Sequence, residues 1–253
     1  MNIAIERFSA QKFTPAWVLY AHLARYQFVS EYVAGKVVLD CACGEAAGAE
    51  MFTASGASRV YAVDISAASL QEAKDLHPNP AIQFIAGDAT KIPLPDQFVD
   101  LYVSLETIEH IRSDRNYLNE AVRLTKPDGM YICSTPNRRI TNPGKTLQSR
   151  PWNPYHVREY SQKELIELLS RDWGEVRTFG QNPRHPSLIR WMEFLGGHTP
   201  GYLPVHFYQM LKLPRLVLDS PQNYRLVEFH PEDDLEFEDV LAICRNPRAR
   251  QPG

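Results

Sequence analysis

Apolar positions along the chain change their period several times, and each change marks an element. Trp17, Ala21, Ala24, Phe28 and Tyr32 recur every three or four residues, the spacing of one helix face. Thr14 and Pro15 suit the N-cap and first position of that helix, and Gly35 suits its end. Short apolar runs then alternate with helical patterns. Lys36 to Asp40, Arg59 to Asp64, Ile82 to Gly87, Phe98 to Ser104 and Met130 to Ser134 read as strands. Helices are expected over 47–56, from Ser66 to Leu76 and from Asn116 to Leu124. Ser161 and Glu164 have capping-box spacing and open a further helix through about Ser170. Glu175 to Phe179 and Val240 to Cys244 read as the last two strands.

Such alternation predicts a mostly parallel sheet covered by helices on both faces. Residues 181–235 depart from it. They hold Pro183, Pro186, Pro200, Pro204, Pro214 and Pro221, interleaved with Trp191, Phe194, Tyr202, Phe207 and Tyr208. So many prolines are awkward inside a sheet, while the aromatics argue against disorder. A folded, α-rich insert or lid is expected there. The whole is read as one domain, 1–253, with residues 1–35 as an N-terminal cap helix. Its core is 36–180 and 236–246, and 181–235 forms the acceptor pocket.

Composition narrows the classes. The net charge of -3 gives no basic excess, which argues against a nucleic-acid partner. Cys41, Cys43, Cys133 and Cys244 lie in or beside apparent strands, and Cys41-x-Cys43 lacks a second ligand pair, so buried thiols are expected and a zinc site is not. No stretch approaches the ~18 apolar residues of a membrane span, and the N-terminus has no apolar leader pattern, so a cytoplasmic protein is expected.

The most informative segment is VVLDCACGEAAG, Val37 to Gly48. An apolar strand ends in Asp40, and a small-residue turn through Gly44 leads into a helix. A turn without bulky side chains lets a ligand lie against backbone at the strand's carboxyl end. Twenty residues beyond Gly44 the second strand ends in Asp64, where a carboxylate can accept from ribose hydroxyls. A dinucleotide would want G-x-G-x-x-G, which is missing, and Glu45 at the helix start would repel a phosphate. A ligand carrying an ammonium group fits better.

With these residues in place, D-x-x-C-G-x-x-x-G resembles motif I of class I S-adenosylmethionine-dependent methyltransferases. Asp64 resembles their ribose-binding acid, Gly87-Asp88-Ala89 their adenine loop, and IPLPDQFVDLYVSLETIEHI the motif entering strand four. The resemblance covers most of residues 36–135. It implies a Rossmann-like doubly wound sheet of seven strands with an antiparallel last strand, and S-adenosyl-L-methionine as cofactor. The cofactor-binding set it implies is Asp40, Cys41, Ala42, Gly44, Asp64, Ile65, Asp88, Ala89 and Ser104. Arg25, on the helix expected over the cofactor, could pair with the methionine carboxylate or be an ordinary surface ion pair. YAHLARYQF, and STPN followed by NPYHVREYS, resemble the ubiquinone-pathway-like subgroup, in particular bacterial enzymes that O-methylate sugars of glycans or natural products. Ala46 and Ala47 depart from that subgroup, where Gly and Tyr are usual.

Methyl transfer from a sulfonium asks the protein to align the acceptor and exclude water, and an alcohol acceptor must also lose a proton. Glu106, Glu109 and His110 follow strand four at helical spacing. E-x-x-E-H resembles the divalent-metal site of ubiquinone-pathway and small-RNA 2′-O-methyltransferases, and His156 could complete such a set. Two roles stay open: His110, His156 or Glu106 as catalytic groups, or Glu106, Glu109, His110 and His156 as ligands of Mg²⁺. A third reading lets Glu109 and His110 merely brace the loops. Arg158 and Tyr160 are read as loop anchors. Arg138, Arg139, Lys145, Arg150 and Arg158 are a basic cluster that suits a phosphate-bearing acceptor or a solvated loop. The expected acceptor is a small molecule or glycan hydroxyl. A phenol, quinone precursor, amine or RNA 2′-hydroxyl are alternatives, as is a non-catalytic cofactor-binding scaffold. Assembly as a homodimer is left open.

Overall fold

The computed structural model describes residues 16–184, 224–230, 232–233 and 235–248. Helix α1 (Ala16–Ser30) leads into β1 (Val37–Cys41), α2 (Ala47–Ala54), β2 (Arg59–Asp64), α3 (Ala67–Leu76), β3 (Ile82–Ala86) and β4 (Val99–Leu105). Then come α4 (Asp114–Leu124), β5 (Thr125–Pro136), α5 (Arg138–Thr141), α6 (Gln162–Leu169), β6 (Trp173–Arg184), β7 (Val227–Phe229) and β8 (Glu236–Pro247). The strands form one sheet in the order β3-β2-β1-β4-β5-β8-β6-β7. Pairing is parallel from β3 through β5, while β8 runs antiparallel between β5 and β6. Order reverses between β1 and β4, so the crevice of this sheet opens at their carboxyl ends.

Strands β1 and β4 are buried almost throughout, as a sheet covered on both faces requires. Alternate residues feed two cores. Leu39, Tyr102 and Tyr131 pack with Tyr117, Leu118 and Leu165 on one face. Val38, Leu101, Val103 and Ile132 pack with Val29, Phe52 and Leu70 on the other. Each such side chain contributes about 1.5–3 kcal/mol relative to exposure. Local signals agree with this packing: Ser66 caps α3 by accepting from Ser69 N, and Ser161 with Glu164 forms the expected capping box on α6.

The sheet has eight strands where seven were expected. The extra one, β7, is a three-residue edge strand paired antiparallel with β6, and it lies inside the stretch read as an α-rich insert. Both described ends of that stretch are therefore β: Gln181–Arg184 prolong β6, and Val227–Phe229 are β7. Residues 185–223, and with them the pocket expected there, lie outside the described residues, as do Thr14 and Pro15. Among the described residues no helix is long and apolar enough to cross a membrane.

Helix α1 reaches the sheet's edge because α2 presents Gly48 to it. A Cβ on Gly48 would lie 2.1 Å from Tyr26 Cε1. Tyr26 is itself buried and tilted against Phe52, so the ring has no room to retreat. Gly48→Ala is expected to destabilise the protein by about 1–3 kcal/mol through overpacking. A urea denaturation midpoint no lower than that of the wild type would contradict this.

Candidate active site

At the carboxyl end of β1 the chain turns through three alternating left-handed residues, Ala42 (φ 58°), Gly44 (φ 56°) and Ala46 (φ 59°). Alanine adopts this conformation at a cost of roughly 1–2 kcal/mol, so the turn is held by its surroundings. Asp64, at the end of β2, supplies part of that hold. Its Oδ2 accepts from Gly44 N at 3.0 Å and its Oδ1 from Ser66 N at 2.8 Å, which fixes the carboxylate at the rim with further lone pairs available. The next residue, Ile65, is 73% exposed, an apolar surface at a strand end. Below the turn, Asp40 is 1% exposed and its Oδ2 has no hydrogen-bond partner. Burial, and secondly the charge of Asp64, push the Asp40 carboxyl up to about 7. An orphaned carboxylate oxygen beneath a small-residue turn suits a cationic ligand group.

Across the crevice, β4 ends at Glu106, which is left-handed (φ 51°). Such strain costs on the order of 1–3 kcal/mol and persists where neighbours enforce it. Ser134 Oγ donates to Glu106 Oε1 at 2.7 Å, and Arg25 Nη2 lies 3.9 Å from Glu106 Oε2. Arg25 is 2% exposed, so it is no surface pair. Its Nη1 donates to Gln181 Oε1 at 2.6 Å and lies 3.2 Å from Asp239 Oδ2, while its Nε has no partner. Burial would raise the Glu106 carboxyl, but Arg25, His22 and Ser134 hold it below its ordinary value. His22, one helical turn before Arg25, is pushed down to about 3 by burial and by Arg25, so it is neutral beside the site. The sequence places His22 with Arg25 on the helix expected over the cofactor but assigns it no role; its i, i+3 spacing from Arg25 on α1 was the available signal.

The left-handed Glu106 also breaks the expected helical path. Only Ile108–His110 turn, as a short 3-10 segment, so Glu106, Glu109 and His110 do not share one helix face. Glu109 is 1% exposed and accepts from Thr135 Oγ1 at 3.0 Å. Burial, then the charge of Glu106, raise its carboxyl well above the ordinary value. The rings of His110 and His156 meet edge-to-face with centroids 4.9 Å apart. His110 Nδ1 faces Tyr155 O at 3.2 Å, so that nitrogen carries the proton. Potential ligand atoms of Glu109, His110 and His156 lie within 4.8 Å of one another, but Glu106 is not among them. Two imidazoles and a single carboxyl are a poor set for Mg²⁺, which demands oxygen ligands, so these residues do not fit that ion.

The remaining expected residues divide. Asp88 is exposed, and its Oδ1 accepts from Thr90 N (2.8 Å) and Thr90 Oγ1 (2.7 Å), which lower its carboxyl and shape the loop. Ala89 packs partly on the core. Cys41 and Ser104 have side chains turned inward: Ser104 Oγ accepts from Tyr117 Oη at 2.5 Å, and burial pushes the Cys41 thiol up to about 12. All four cysteines are buried and free. Arg158 Nη1 and Tyr160 Oη both donate to Asp114, at 2.5 and 2.9 Å, as loop anchors. The basic cluster is largely spent inside the protein: Arg138 makes a bidentate pair with Glu164, Arg139 pairs with Glu236 and Arg158 with Asp114.

A doubly wound sheet with a small-residue turn, a rim carboxylate and an exposed apolar residue at its switch point has the crevice where open α/β sheets bind ligands. Residues 39–133 match the family model described as methyltransferase domain. A probable S-adenosylmethionine-dependent methyltransferase of Mycolicibacterium smegmatis is 36% identical over 155 residues, 61% of this chain and 58% of that protein. The phthiotriol/phenolphthiotriol dimycocerosates methyltransferase of Mycobacterium tuberculosis is 28% identical over 186 residues, 70% of this chain and 67% of that protein. The fold matches that of the YcgJ protein from Bacillus subtilis with a TM-score of 0.58 at 17% identity, over 90% of this chain and all (100%) of that one. The chain is thus similar, over residues 39–133 above all, to S-adenosylmethionine-dependent methyltransferases, and it spans little more than half (58%) of its mycolicibacterial relative.

The raised Asp40 carboxyl has a consequence for stability. It keeps its proton in the folded chain at pH values where the unfolded chain has lost it, so its contribution falls as pH rises from about 4 through about 7. Asp40→Asn removes that dependence. Urea midpoints of ligand-free Asp40→Asn and wild type should nearly coincide near pH 4 and diverge by pH 8, with the variant more stable by a few kcal/mol. A gap independent of pH would contradict the assignment.

Proposed function

We propose that the chain transfers a methyl group from S-adenosyl-L-methionine to a hydroxyl of a small molecule or glycan, with a histidine as proton acceptor. The observation that carries this reading is the left-handed turn Ala42–Ala46, fastened to Asp64 at the carboxyl ends of β1 and β2. Asp64 would accept from the ribose, Asp88 would face the adenine edge and Ile65 would cover the ring. Asp40, under the turn, would answer the positive charge. When bound, the cofactor supplies an already activated methyl group, so the protein's task is to orient the acceptor, exclude water and take a proton.

A hydroxyl acceptor is favoured by what surrounds it. An imidazole with Nδ1 protonated offers Nε2 as a base of suitable strength near neutral pH, and His110 and His156 stand together across from the turn. The name of the mycobacterial relative denotes a triol, which accords with a hydroxyl acceptor. A sugar hydroxyl rests on the subgroup resemblance of NPYHVREYS. With Arg138, Arg139 and Arg158 paired internally, a polyphosphate or RNA acceptor loses its support.

Calorimetric titration with S-adenosylhomocysteine tests the reading. The expected result is saturable binding that weakens at least about tenfold in Asp64→Ala, the loss of a charge-assisted hydrogen bond. Labelled methyl transfer from S-adenosylmethionine to a panel of methyl glycosides and phenols would then separate acceptor classes. No binding heat at millimolar product would sink the proposal.

A further inference from the structure

Glu159 sits within the NPYHVREYS segment without a role assigned to it so far, yet it is one of the most thoroughly enclosed carboxylates among the described residues, at 2% exposure. Burying a carboxylate is costly unless hydrogen bonds fill its lone pairs. Here they do. Oε2 accepts from Thr141 Oγ1 and Asn142 Nδ2, both at the end of α5, and Oε1 faces His156 Nδ1 at 2.5 Å. Asn142 is fixed in turn, because its Oδ1 accepts from Trp152 N at 2.6 Å. The loop that carries Glu159 is tied to the 3-10 turn by Val157 N and Arg158 N, which donate to Glu109 O at 2.7 and 3.2 Å.

Opposite Nδ1, His156 Nε2 lies 2.9 Å from Asn153 Nδ2. The amide's orientation is set by its other end, where Asn153 Oδ1 accepts from Tyr155 N at 3.1 Å. The amide nitrogen can only donate, so Nε2 must accept. Both contacts of His156 thus specify one form: proton on Nδ1, lone pair on Nε2. A carboxylate behind Nδ1 also strengthens Nε2 as a base, because it stabilises the imidazolium.

We propose that Glu159 is the positioning residue that makes His156 Nε2 the proton acceptor for the reacting hydroxyl, in place of the Asn153 amide. This rests on the methyltransferase reading above. The acceptor oxygen forms the new O–CH₃ bond while the C–S bond breaks with its electron pair on sulfur. The hydroxyl proton passes to Nε2 and then to solvent. The products are the methyl ether, S-adenosylhomocysteine and one proton.

The test is nitrogen NMR of histidine-labelled protein across pH 4–9, in wild type and Glu159→Gln, with S-adenosylhomocysteine calorimetry on both. The groups facing His156 are Glu159 on its own loop, Asn153 before it, Glu109 and His110 from the 3-10 turn and Glu106 from the end of β4. Glu159→Gln changes only the first. The expected wild-type signature is the Nδ1–H form of His156, and the variant should lower the midpoint of its titration by about one unit or more, a tenfold loss of basicity. Product binding should be unchanged in the variant. An Nε2–H form in the wild type overturns the proposal, as does an unshifted midpoint in Glu159→Gln. If the variant does not fold, the wild-type tautomer alone decides. Absence of product binding in the wild type would instead sink the methyltransferase reading, whatever the tautomer.

Discussion

The site depends on one buried guanidinium. Arg25 leaves α1 and meets Glu106 at the end of β4, Gln181 on β6 and Asp239 on β8. Burying it without partners would cost several kcal/mol, and removing one partner from such a group typically costs about 3–5 kcal/mol. The cap helix is therefore not an independent flap laid over the sheet. Gln181 extends the knot, because its Nε2 donates to Ala21 O (3.2 Å) and Tyr224 O (2.6 Å). Three segments far apart in sequence are held to one point beside the crevice, and Glu106 takes its strained backbone there.

The opposite wall works by a different economy of parts. Ala42 and Ala46 accept a left-handed backbone that glycine would adopt freely, and Asp64 compensates by gripping Gly44 N. Two walls strained by different means face each other across β1 and β4. Between them the described atoms leave one buried oxygen of Asp40 unanswered. Native proteins seldom leave a buried polar atom without a partner, and such atoms collect where a ligand supplies it.

What the sequence made legible follows from what each residue signals. RVYAVD gave β2 its bounds because the apolar run starts and stops within six residues. Residues Glu236, Glu238 and Asn246 disguised the length of β8, since only Val240 to Cys244 looks continuously apolar. The edge strand β7 has three residues and one of them is Glu228, which no periodicity rule can detect. Asp64 was legible at the rim through its spacing from Gly44. The left-handed alanines were not, because alanine carries no signal for positive φ. Glu159 was missed for a related reason: a carboxylate in a loop reads as solvated, and only the fold reveals that Thr141, Asn142 and His156 enclose it.

Glu106 and Glu109 are poorer candidates than the histidines for the proton acceptor that the proposed reaction needs. The two carboxyls are three residues apart and both are withdrawn from water, yet their environments drive them in opposite directions. Arg25 and Ser134 stabilise the charge on Glu106, which makes it a weaker base than an ordinary glutamate. Burial and then the charge of Glu106 raise the Glu109 carboxyl, against the smaller lowering effects of His156 and the Thr135 hydroxyl. One carboxyl is thus made a weaker base than usual, and the other is driven towards its protonated form. Their separation still has a use: an anion fixed at Glu106 favours positive charge in the crevice without competing for the proton. Beside these carboxyls stand two imidazoles, His110 and His156, their rings in edge-to-face contact. The carboxylate stationed behind one of them, Glu159, breaks the tie between the two.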